Sequence, residues 1–113
     1  MIHTAAFNVK PDGLIELDGD HSPGTSGIPW TLLNIECSRI SVGSYVVTGN
    51  EVDWPDGWRA TVYKDENDQN TVWLKLGKND SGLTVETFDP YDKITPIDIV
   101  HLLTLRVACE YSV

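Results

Sequence analysis

The sequence predicts an all-β, mainly antiparallel fold, a small sandwich or barrel-like single domain, and three observations carry that prediction. Turn-forming residues recur at short intervals, the runs between them alternate apolar with polar side chains, and helical periodicity is almost absent. The 113 residues suit one β-rich domain spanning 1–113. A chain of that size buries roughly two-thirds of its unfolded surface, which is enough for a single core.

Taken in order, Pro11-Asp12-Gly13, Asp18-Gly19-Asp20, Ser22-Pro23-Gly24, Pro55-Asp56-Gly57 and Asn79-Asp80-Ser81-Gly82 supply the turns. Leu33 to Ile40, Ser44 to Thr48 and Trp58 to Tyr63 read as strands between them. In Thr71 to Leu76, Val72, Leu74 and Leu76 fall on one face, Trp73 and Lys75 on the other. In Leu83 to Phe88, Leu83 and Val85 oppose Thr84 and Glu86. The stretch from Trp73 to Phe88 is therefore a hairpin, whose polar connection from Gly77 to Gly82 suits a longer loop better than a two-residue turn. Thr95, Pro96 and Asp98 resemble a helix start, but β-branched content and later alternation assign a strand entered after Pro96 instead. Leu103, Leu105, Val107 and Cys109 share its inner face, and Val72, Leu74, Val85, Leu105 and Val107 are expected in one core.

Seventeen Asp and Glu against eight Lys and Arg give a net charge of −9. Such a surface repels phosphate backbones and anionic headgroups, so nucleic acid is excluded as a partner class. No apolar run approaches the length that spans a bilayer, so the chain is not membrane-inserted, and Met1 to Lys10 lacks the features of a secretory signal. Synthesis in a cytoplasm follows as the expectation. Cys37 and Cys109 lie in apolar runs without CxxC spacing and are expected to be reduced and buried, with no metal and no cofactor.

Asp65-Glu66-Asn67-Asp68-Gln69-Asn70 offers oxygen ligands, but it lacks the glycine and the bidentate glutamate of a calcium loop, and a solvated turn accounts for it better. No carboxylate pair is singled out for glycoside hydrolysis. His3, His21 and His101 are scattered, and no nucleophile elbow, phosphate loop or zinc-protease motif is present. No catalytic residue is assigned, and the chain reads as a non-enzyme. Aromatic residues stand out instead: Trp30, Trp54, Trp58 and Trp73, with Tyr45, Tyr63, Tyr91 and Tyr111. Trp58 and one other tryptophan are expected in the core, and Trp54, beside Pro55-Asp56-Gly57, on the surface.

From Pro55 to Val107 the order of features resembles a C-terminal module of the tail-fibre and host-specificity proteins of lambdoid tailed phages. The resemblance rests on Gly57-Trp58, Lys64 to Asn67, Val72-Trp73, Thr87 to Pro90, Pro96 to Ile99 and Leu105 to Val107, in that succession. The family carries a longer insert where this chain has only Tyr91 to Thr95. The resemblance implies a virion tail component, the C-terminal fragment of a longer protein. It implies a homotrimer that meets other tail proteins and a bacterial surface receptor, either a glycan or an outer-membrane protein. A structural virion module, such as a tail connector or decoration protein, is the alternative, and a small glycan-degrading enzyme ranks last. No receptor-binding residue transfers from the family. Trp54 and Tyr91 are the receptor-binding candidates on their own chemistry, since both adjoin turns and present a flat apolar face with a polar tip.

Overall fold

The computed structural model describes residues 2–16 and 34–110. Among these residues eight strands, β1 (Ile2–Val9), β2 (Ile15–Glu16), β3 (Glu36–Ser41), β4 (Ser44–Thr48), β5 (Ala60–Val62), β6 (Trp73–Asn79), β7 (Gly82–Phe88) and β8 (Leu103–Glu110), form two antiparallel sheets ordered β2-β1-β8-β5 and β3-β4-β7-β6. The fold is all-β, and no helix occurs among the described residues.

Alternation explains why the sheets face one another. Ala5, Phe7 and Val9 of β1 join Leu103, Leu105, Val107 and Cys109 of β8, and pack with Tyr45 and Val47 of β4 and Leu83 and Val85 of β7. Ile35, Val52 and Ile99 add loop residues to the same core. The longest ladder runs from Ile2 opposite Glu110 to Val9 opposite Leu103. Leu74 is half-buried against this core, whereas Val72 is buried outside it, so four of the five core expectations meet in one cluster.

A polar hub binds the loops over one end of the core. The Arg39 guanidinium pairs with the Asp98 carboxylate at 3.0–3.2 Å, and the Gly43 N–H donates to the same carboxylate at 2.9 Å. The Tyr45 hydroxyl donates to the Pro11 carbonyl at 2.8 Å and accepts from the Ile99 N–H at 3.2 Å. Gly43 is required there: its φ is +69°, and a Cβ would lie 2.5 Å from the Thr87 carbonyl oxygen.

Several boundaries differ from the sequence expectation. β6 and β7 remain paired to Asn79 opposite Gly82, leaving the two-residue turn Asp80-Ser81 in place of the longer loop. Asn79 Oδ1 closes that turn by accepting from the Ser81 N–H at 2.8 Å, and Gly82 adopts a φ of +141° that other residues avoid. No strand follows Pro96 directly. Pro96 makes a single bridge to Phe88, Ile97 exchanges hydrogen bonds with Thr87, Asp98 and Ile99 serve the hub, and β8 begins at Leu103. β1 was not foreseen, because Ala5 and Ala6, small and equally apolar, blur the alternation of Thr4, Ala6 and Asn8 against Ala5, Phe7 and Val9. Both cysteines are free, but Cys37 is half-buried where full burial was expected, and only Cys109 is buried. Desolvation pushes each thiol up to about 11.

Candidate functional site

Two self-closed turns enclose an open recess of about 500 Å³ beside the start of β6. The first turn follows β5. The Thr71 N–H and hydroxyl both donate to the Tyr63 carbonyl, at 3.2 and 2.7 Å, and Lys64 bridges Asn70 across the neck. Inside it, Asp65 Oδ1 accepts from the N–H groups of Asn67 at 2.8 Å and Gln69 at 3.0 Å. The carboxylate that suggested a calcium loop is thus spent on its own turn. No group of three His, Cys, Asp or Glu able to hold a metal occurs among the described residues. Lys64, Asp68, Gln69 and Asn70 line the recess from this side.

The second turn follows β7. Asp89 Oδ1 accepts from the Tyr91 N–H at 2.8 Å, and the Asp89 carbonyl accepts from the Lys93 N–H at 2.8 Å. Asp92 takes the N–H groups of Ile94 and Thr95 and the Thr95 hydroxyl. Those hydrogen bonds, the hydroxyl's first, hold its carboxyl below the usual carboxylate range. The turn therefore has a fixed backbone, and it presents Tyr91, 90% exposed, and Lys93 to the recess. Between the two turns lies Trp73, 38% exposed, its ring tilted 53° to Phe88 with centroids 5.7 Å apart. Alternation had put Trp73 on the outer face, but nothing in the sequence joined it to Tyr91; that depends on the pairing of Trp73 with Phe88.

The two candidate residues separate. Tyr91 lies at the recess, as a surface aromatic. Trp54 does not, and its expected exposure is corrected: it is half-buried against the core, and its indole N–H donates to the Gly77 carbonyl at 2.9 Å. Val52 and Trp54 point inward while Asp53 bridges Ala108 of β8, an alternation that outweighs the neighbouring Pro-Asp-Gly turn. Trp58 is the reverse case, 47% exposed where burial was expected. The Arg106 guanidinium lies 5.5 Å from its ring centroid and donates to the carbonyls of Asp56 and Trp58. His101 is exposed, its ring tilted 51° to that of Tyr63 with centroids 4.7 Å apart. Trp30, His21, Tyr111 and the His3 side chain lie outside the described residues.

No family model, no curated protein and no solved structure matches this chain.

Proposed function

We propose that this chain is a phage tail-fibre or tail-tip domain that takes part in host-surface recognition without catalysis, and that the recess between the two turns is its binding surface. The observation that carries the binding role is the meeting of Trp73 and Tyr91 with the amides of Gln69 and Asn70 and the carboxylate of Asp68 around one concavity. A sugar ring has an apolar face that rests on an aromatic ring and hydroxyls that pair with amides and carboxylates, so this donor set suits a glycan. Rigid turns on a β scaffold keep the ordering cost of binding low. The tail context comes from the ordered resemblance over Pro55 to Val107, and with it a virion location and a homotrimer, whose closed symmetry would match a three-chain shaft.

A structural virion module is the second reading, favoured by Ile40 and Val42, which are exposed near the β3–β4 turn and would suit contact with another tail protein. Microbeads coated with the domain, compared with bare beads on a panel of bacteria, separate the two. Adhesion to some strains that drops on Tyr91→Ala or Trp73→Ala supports recognition through the recess. Adhesion to no strain favours the structural module. Adhesion unchanged in both variants removes the recess from the mechanism.

A further inference from the structure

The charge arrangement at the recess goes further and names the class of sugar; it rests on the recess being a glycan site. The chain carries a net charge of −9, and yet two of its eight basic residues, Lys64 and Lys93, line this one concavity, one from each turn. Among the described residues neither forms a salt bridge, whereas Arg39 is paired with Asp98 and Lys78 with Asp53. The Lys64 ammonium donates to the Asn70 side-chain oxygen, which positions it and leaves N–H donors to spare. The carboxylates nearest in sequence are not among the lining residues. Asp65, Asp89 and Asp92 turn their oxygens onto the N–H groups of their own loops, leaving Asp68 as the only carboxylate among the residues that line the recess. Two ammonium groups and one carboxylate thus line the recess of a protein that is anionic overall.

We propose that the recess takes a pyranose carrying an anionic substituent, a carboxylate or a phosphate. The ring face lies on Trp73 or Tyr91, the substituent reaches Lys64 or Lys93, and Asp68 accepts from ring hydroxyls. The aromatic floor distinguishes this from capture of a simple anion, which needs no apolar surface. The overall negative charge then acts as a filter: only an anion small enough to enter the recess meets positive charge, while extended polyanions meet the acidic surface first.

The test uses the whole chain, with ¹⁵N–¹H spectra reading the Trp73 indole N–H. Glucuronate, galacturonate and N-acetylneuraminate are titrated against their methyl esters, and glucose 6-phosphate against glucose, so that charge changes while the ring stays. At least one anion should shift the Trp73 signal and bind about 5–10-fold tighter than its neutral partner, a range set by a solvent-accessible charge-assisted hydrogen bond. That advantage should shrink as salt rises. It should vanish in Lys64→Gln or Lys93→Gln and survive in Lys78→Gln, which removes the same charge at the far end of β6. The esters and the phosphate pair tell which substituent is read. If neutral sugars shift Trp73 as strongly as anions, glycan binding stands and the charge assignment falls. If no charged sugar shifts Trp73, the inference is overturned, and the bead assay then decides separately whether the domain recognises cells at all.

Discussion

Replacing Tyr45 by Phe isolates the hub that joins three loops. The side chain is almost wholly buried, so the aromatic ring keeps its packing and only the hydroxyl is lost. That hydroxyl donates to the Pro11 carbonyl at 2.8 Å and accepts from the Ile99 N–H at 3.2 Å. The first loss is an ordinary net hydrogen bond, worth about 1 kcal/mol. The second strands the N–H of a buried residue, at about 1–3 kcal/mol. Together the substitution should cost about 2–4 kcal/mol, a large share of the ~5–15 kcal/mol that holds a domain of this kind. Urea unfolding should show a lower midpoint with an unchanged slope, because the surface exposed on unfolding stays the same. Hydrogen exchange should accelerate at Ile99 and Gly43 before it does so in β8. A loss below about 0.5 kcal/mol, within the range of a neutral surface change, would refute the claim that this hydroxyl ties the loops down.

Other outcomes follow from the same structure. Leu105→Ala, in the middle of the core, should cost about 2–5 kcal/mol by chemical denaturation, and a cost under about 1 kcal/mol would mean the two sheets do not close over it. Asp98 is held below the usual carboxylate range chiefly by the Arg39 hydrogen bonds and then by the Gly43 N–H. Its contribution is therefore present above the unfolded-chain value of about 3.9 and is lost as pH falls through the lower folded value, so acid unfolding should be shallower in Asp98→Asn. Both thiols, pushed up to about 11, should label slowly with alkylating reagents at pH near neutrality, Cys109 more slowly than the half-buried Cys37. Immediate labelling of both in the native protein would contradict their placement.

Period-two alternation was readable wherever β-branched or large residues marked both faces, as in Leu83 to Phe88 and Leu103 to Cys109, whose inner positions are all buried. It faded in β1, where alanines occupy both faces, and it overran at Pro96, where an extended segment serves a polar hub instead of a ladder. Both tryptophans near Pro55 lie opposite to expectation, and for Trp54 the adjoining turn was the misleading signal. A Pro-Asp-Gly sequence marks where the backbone reverses but not which neighbouring ring faces inward, and Trp54 faces inward because Asp53 is bridged to Ala108. Of the site, Tyr91 could be named from composition and its adjoining turn. The company it keeps could not, since Lys64, Trp73 and Lys93 converge only through long-range pairing of β6 with β7.

The pairing of β1 with β8 also sets the order in which this domain can be made. During synthesis at about 5–20 residues per second, β1 emerges from the ribosome long before its partner exists. β3, β4, β6 and β7 are all available earlier, so the second sheet can assemble with Tyr45, Val47, Leu83 and Val85 bare on its inner face. The first sheet cannot, because β8 lies between β1 and β5 and is translated after every other described strand. The nascent domain therefore passes through an interval in which half a sandwich presents an uncovered apolar face and β1 has only the two residues of β2 to pair with, a combination prone to mispairing between neighbouring copies. Closure of so distant a pair is intrinsically slow. The first sheet is therefore complete only once β8 has been made and has reached β1 and β5.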